Sequence, residues 1–316
     1  MTDRSSHSRS ALENFRLTVF RAVAGQRSFR RAAELLYLTQ PAVTQQIKAL
    51  EQEIAVPLFD RAGREIVLTA AGEILLRYAR EGNELLLRAE AELAALEGQV
   101  TGPLRLAVST TIAQYVLPPM LGRFLRRYPA VELRMRSANT EGVAAAVLDG
   151  SVDVGLVEGP VHRPELKLEA WLRDELVLVV ASNHAWAGLA AIAPEQLRGM
   201  PVLLRERGSG TREIVDSALE AVGLAAKDLN VAMELNSAEA LLACVEAGLG
   251  VGFYSRAAIR RQLRLGTLMQ VPVHGLKIGR DLSFVTMRSA EPRGNASVLL
   301  EFLREQALAR RRKKPA

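Results

Sequence analysis

The chain is poor in cysteine and histidine, and each shortage removes a class of function. One cysteine, Cys244, in 316 residues leaves no internal disulfide framework and fits a reducing cytoplasm. Four histidines, His7, His162, His184 and His274, share no metal-ligand spacing, so no metal site is expected. With no nucleophile elbow and no Cys–His constellation, the chain reads as a non-enzyme without a cofactor. Long apolar runs are also scarce. Leu176–Pro194 is free of charge, but it contains Ser182, Asn183, His184 and Gly188 and reads as a buried strand running into a loop, not a membrane span. The opening MTDRSSHSRS is polar and predicts no signal peptide. Charge of one sign is missing from the body of the chain. The formal net charge of +6 comes almost entirely from Arg310-Arg311-Arg312-Lys313-Lys314, in a basic tail at 307–316 suited to non-specific attraction to phosphate.

What is present falls into three regimes. Residues 11–69 are helical and interrupted by turn signals, 70–97 lack proline and read as one helix, and from Thr101-Gly102-Pro103 short apolar strands alternate with amphipathic helices. That alternation is the α/β signature. In the first regime Leu12, Phe15, Val19 and Ala22 share a helical stripe. Ser28 caps a short helix through Leu36, Tyr37-Leu38 form a tight connection, and Thr39 caps a helix from Gln40 to Leu50 with Pro41 in its first turn. Val43, Ile47 and Leu50 recur at i, i+4 and i+7 and must face a core. Pro41, Thr44, Gln45 and Lys48 then point outward, a face with no carboxylate that suits a helix entering a DNA major groove. After Pro57, LFDRAGREIVLT reads as a β-hairpin with its second strand at Ile66–Leu68. Arg61 and Arg64 flank its turn, forming a wing placed for backbone or minor groove.

The run SFRRAAELLYLTQPAVTQQIKALEQEIAVPLFDRAGREIVLTAAG closely resembles the DNA-binding segment of LysR-type transcriptional regulators. The later α/β portion is similar to that family's effector domain, so the resemblance covers nearly the whole chain. It implies an α/β protein with an N-terminal all-α winged helix-turn-helix over 1–69 and a linker dimerisation helix over 70–97. It also implies a two-subdomain, periplasmic-binding-protein-like α/β sensor over 98–306. The partners implied are double-stranded operator DNA, a second copy of the chain in a homodimer or homotetramer, and RNA polymerase, with no membrane. The DNA-facing candidates are Ser28, Arg30, Arg31, Thr39, Gln40, Pro41, Thr44, Gln45, Lys48, Arg61 and Arg64. Thr69 caps the linker helix, where Leu75, Tyr78, Leu85, Ala89 and Leu96 keep the 3–4 spacing of a helix pair.

In the sensor region, strands Leu104–Val108, Val131–Arg136 and Val154–Val157 alternate with a helix through Tyr128 and another over Gly142–Asp149. Ser109, Thr110, Thr111, Asn139 and Thr140 therefore stand at strand C-terminal ends and helix N-termini, where open α/β sheets bind ligands and anions are favoured. The same residues also serve as ordinary N-caps. One subdomain takes 101–170 and 272–306, the other 171–271 from near Trp171, with strands Leu176–Val180, Val202–Leu204 and Val231–Leu235. After the second comes Arg205-Glu206-Arg207-Gly208-Ser209-Gly210-Thr211-Arg212. Its glycines let backbone N–H groups converge, while Arg205, Ser209, Thr211 and Arg212 add donors. The stretch LLRERGSGTREIVD is similar to one in sulfur-assimilation and carbon-fixation regulators of the same family, which implies an inorganic oxyanion or a phosphorylated metabolite as effector. Gly248, Gly250 and Gly252 follow a helix and open a strand, the reverse of a dinucleotide fingerprint, and read as a helix C-cap. Cys244 falls in the apolar helix Ala238–Ala247 as a core residue. A second function class, an anion-binding module without regulatory DNA contact, would use 103–304 but leaves 28–69 without a role.

Overall fold

The computed structural model describes residues 10–60 and 66–312, with side chains through 309. Two compact units divide between Gly102 and Pro103. In the first, helix α1 (Phe15–Gln26) starts at Asn14, whose side chain accepts from the Arg16 N–H. Leu12 lies before the helix and is exposed, so the face that goes inside is Thr18, Val19, Phe20 and Val23 instead of the stripe running from Leu12 to Ala22. Helix α2 (Phe29–Leu36) is capped by Ser28 and ends at Tyr37, a left-handed residue with φ +56°. Helix α3 (Gln40–Ile54) is capped by Thr39 and runs a turn beyond Leu50. The short strands β1 (Phe59–Asp60) and β2 (Val67–Leu68) pair antiparallel, Phe59 opposite Leu68. Val43, Ile47 and Leu50 meet Val19, Phe20, Val23, Ala32, Ala33, Leu58 and Phe59 in one core. Phe59 takes Phe20 and Phe29 against its ring, with centroids 5.5 and 5.8 Å away.

Helix α4 (Ala70–Leu96) follows. Thr69 caps it by accepting from the Gly72 N–H, and its hydroxyl also ties to the hairpin by donating to the Pro57 carbonyl at 2.7 Å. Gly72 is required by space: a Cβ there would lie 2.2 Å from the Leu58 carbonyl oxygen. The helix thereby seats its first turns against the hairpin.

The second unit is built on one nine-stranded sheet. Its strands are β3 (Gly102–Ser109), β4 (Val131–Ala138), β5 (Val154–Val157), β6 (Leu166–Ala181), β7 (Pro201–Arg205), β8 (Asn230–Leu235), β9 (Val251–Ser255), β10 (Leu268–Gln270) and β11 (Ile278–Met287). The order is β4-β3-β5-β11-β6-β9-β7-β8, with β10 on β6. A π-helical turn, Ile112–Val116, and α5 (Pro118–Arg127) stand where a single helix through Tyr128 was expected, because Pro118 and Pro119 cannot continue the hydrogen-bond ladder. Helices α6 (Thr140–Leu148), α7 (Gly210–Glu220), α8 (Ala238–Glu246), α9 (Arg260–Leu265) and α10 (Gly294–Arg312) cover the faces.

The halves are joined by two long strands. Trp171 does not open a new segment; it sits inside β6, which pairs with β11 from Leu166 opposite Met287 to Leu176 opposite Ile278, with a register shift at Leu282/Ser283. Over its first ten residues β6 buries only Leu166 and Trp171, and it is then buried over its last six. One cluster, from Ala107 and Val143 to Val285, fills the first half; others around Leu178, Val202, Phe253, Leu203 and Tyr254 fill the second. Helix α8 ends before Gly248 at φ +77°, so Gly248 closes a helix as its order in the chain predicts. Cys244, on α8, is half-buried, its thiol 3.8 Å from the Met233 sulfur.

Candidate functional site

Helix α3 is fixed by its buried Val43, Ile47 and Leu50 and offers solvent the opposite side. A shallow groove there is lined by Gln40, Pro41, Thr44, Gln45, Lys48, Ala49 and Gln52. Thr44 donates to the Gln40 carbonyl at 3.0 Å, which leaves its lone pairs facing outward. Ser28 and Thr39 are both committed to capping, and Arg30 pairs with Glu34 at 3.1 Å on an exposed face. Arg31 is exposed. Tyr37 is 97% exposed at the turn entering α3. Sequence patterning passed it over, because apolar patterning gives no cue to a left-handed aromatic. Arg61 and Arg64 lie outside the described residues, as do the side chains of Arg310, Arg311, Arg312, Lys313 and Lys314.

On α4, Tyr78, Leu85 and Leu96 are exposed, joined by Ile74 and Leu93. Ala89 is half-buried, and Leu75 packs on its own chain's core instead of facing outward. Residues 74, 78, 85, 89 and 96 fall within about 60° on a 100° wheel, an apolar strip about six turns long.

The sensor residues converge, though not as an open nest. The α6 and α7 N-termini close on each other's loops: the Gly210 N–H donates to Thr140 Oγ1 at 3.2 Å, and the Glu141 N–H to the Gly208 carbonyl at 3.3 Å. Gly159 and Gly210 touch backbone to backbone; a Cβ on Gly159 would lie 2.3 Å from the Gly210 Cα. The Ser209 N–H goes to the Glu206 carbonyl, so part of the expected backbone donor set is already used. Asn139 caps α6 by accepting from the Gly142 N–H.

The arginines are equally engaged. Arg205 donates to both carboxylate oxygens of Glu206, to Thr110 Oγ1 and to the Asn236 carbonyl. Arg212 bonds Asp216, Glu234 and the Arg205 carbonyl. Glu206 therefore has a partner, and neither arginine is an unengaged donor.

At the centre stand residues that patterning did not select. Glu158, immediately after β5 and 2% exposed, accepts from Thr111 Oγ1 at 3.0 Å and from Thr211 Oγ1 at 3.1 Å. Arg280 on β11 donates to Thr211 Oγ1 at 2.7 Å and to Asp174 at 2.8 Å, and Ser255 donates to Asp174 as well. Nothing local marks Glu158 or Arg280, whose partners lie between 47 and 122 residues away. A narrow cavity of about 30 Å³ adjoins Thr111, Thr211 and Arg205, walled by Phe253, Leu241 and Tyr254. Burial pushes the Tyr254 phenol up, and its hydroxyl has no partner among the described residues.

Comparison with known sequences decides the ancestry. Residues 15–73 match the model of the bacterial regulatory helix-turn-helix protein, lysR family, and residues 97–308 match the LysR substrate binding domain. The chain belongs to the LysR family. It is 36% identical over 276 residues to a probable RuBisCO transcriptional regulator of Guillardia theta, covering 85% of this chain and 88% of that protein. The solved structure of full-length CbnR complexed with its target DNA shares the fold at a TM-score of 0.64, with 24% identity, over 94% of this chain and 99% of that one. The Synechocystis CcmR regulatory domain in complex with 2-PG does so at 0.61 and 24% identity, over 68% of this chain and 99% of that domain. As a member of this family, the protein is a transcription regulator with a helix-turn-helix DNA-binding domain followed by an effector-binding domain. Among the described residues no helix is long and apolar enough to cross a membrane, and no cluster of potential metal ligands is present.

Proposed function

We propose that this LysR-family regulator reads operator DNA with the outward face of α3, self-associates through the apolar strip of α4, and answers to a small anion held between the halves of its sensor. The observation that carries the proposal is the α3 groove of Gln40, Pro41, Thr44, Gln45 and Lys48. It presents amide, hydroxyl and ammonium groups on a helix immobilised by its opposite face. Glutamine pairs with adenine edges, and lysine with guanine or phosphate. That CbnR is complexed with its target DNA favours the DNA reading, and the 2-PG complex of the CcmR domain favours a small effector. An anion is favoured by the two helix N-termini, of α6 and α7, by the hydroxyls of Thr111 and Thr211, and by the Arg280 guanidinium that touches Thr211.

Binding titrations on operator and random DNA test the first part. Gln45→Ala removes base reading and costs about 1–3 kcal/mol of discrimination at one half-site position. Arg64→Ala weakens both DNAs alike and flattens the salt dependence. Unchanged affinity and preference in Gln45→Ala would rule out this orientation of α3. Sulfate, inorganic phosphate and a sugar bisphosphate, titrated against operator affinity, test the effector class.

A further inference from the structure

Two buried carboxylates, Glu158 and Asp174, face one buried guanidinium, Arg280. The match is unequal. Arg280 gives Asp174 two contacts of 2.8 Å, while its Nη2 stays 3.9 Å from Glu158 Oε2. Arg280 Nη2 is taken up by Asp174, whereas Glu158 Oε2, fully enclosed, has no hydrogen-bond partner among the described residues. A carboxylate held this way is expensive, since burial without full pairing penalises the charged form. Its surroundings are those of a ligand position. Glu158 follows a central parallel strand, where open α/β sheets receive ligands. Its hydroxyl donors come from both halves, Thr111 after β3 and Thr211 in the first turn of α7. A helix N-terminus behind Thr211 favours negative charge. Ser109, two residues before Thr111, adds a buried hydroxyl with no partner among the described residues.

We propose that Glu158 is the resident occupant of an oxyanion position formed by Thr111, Thr211 and Arg280. Its carboxylate holds the two halves together in the unliganded protein, and an external carboxylate or oxyanion gains these donors only by displacing it. The first statement stands on the geometry alone, and the second rests on the anionic-effector reading above. A carboxylate and a second anion cannot share the same two hydroxyl protons, so Glu158 sets the threshold that an effector must exceed.

Thermal denaturation of full-length Glu158→Ala in formate, acetate and chloride tests the occupancy. Formate restores the missing carboxylate, and at concentrations well above its Kd raises the Tm by at least about 2–4 °C, with no such rise in chloride or in the wild type. A folded Glu158→Ala that is indifferent to formate and acetate overturns the proposal. If that variant does not fold, Glu158→Gln decides. Its amide can still accept from both threonines but carries no charge, so calorimetry should find sulfate bound at least tenfold more tightly than by the wild type. Equal binding, or none to either protein, overturns the proposal. Formate rescue of Glu158→Ala together with a wild-type operator affinity that responds to no anion would leave the resident carboxylate standing and remove the anionic-effector reading.

Discussion

Arg304 and Glu169 show how a single side chain makes a pH-dependent contribution. Two hydrogen bonds of 2.7 Å from Arg304 hold the Glu169 carboxyl below the usual glutamate range. A carboxyl depressed in the folded state stabilises at any pH above its unfolded value, and that contribution fades as pH falls through the lower folded value. Arg304→Ala should therefore melt earlier than the wild type at neutral pH. The gap should begin to narrow near the ordinary glutamate range and close only below the depressed folded value, where the carboxyl is protonated in both states. Melting curves between pH 3 and 8 check this. A gap that stays constant would place the effect in the packing of Arg304 over the Phe284 ring, 5.8 Å from its centroid. Single caps belong to the same scale. Ser28, Thr39 and Thr69 were legible because a short polar oxygen beside an apolar period has one local use. Glu158 was not legible, since a carboxylate after an apolar strand has no local partner to reveal it.

Among the elements, α4 and the Gly159–Gly210 contact make opposite demands on substitution. The α4 strip leaves Leu85 58% exposed on a helix whose other side is occupied at its start by its own chain. Leu85→Glu should shift sedimentation toward the monomer while the far-ultraviolet circular dichroism stays unchanged; an unaltered oligomer would remove α4 from the interface. Gly159→Ala tests close approach. The added methyl meets backbone and not a flexible side-chain end, so it cannot be absorbed by a rotamer change. A loss of about 1–3 kcal/mol in denaturant titration is expected, along with faster hydrogen exchange in α7. Periodicity located these elements within a few residues. It missed the break at Pro118 and the true length of β6, because both depend on what the chain packs against.

For the whole molecule, two units with separate cores meet at Gly102–Pro103, next to Gly98 and Gly102 in left-handed conformations. Limited proteolysis should cut first near residues 97–102, and calorimetry should resolve two transitions. A single transition with no early cut would mean that the units unfold as one. The amino-acid sequence by itself determined the helix-turn-helix order of the first unit, the α/β alternation of the second and the face that α3 presents. Each of these rests on contacts within a few turns, which apolar spacing, caps and prolines encode directly. The tertiary structure alone decided which polar groups of the sensor were already spent. Arg205, Arg212 and the loop amides carry donors in the sequence whether or not they are engaged; only folding brought Thr110, Glu234 and Thr140 within reach of them. It likewise set Glu158 among Thr111, Thr211 and Arg280, because a buried charge finds its partners through strand order and not through proximity along the chain.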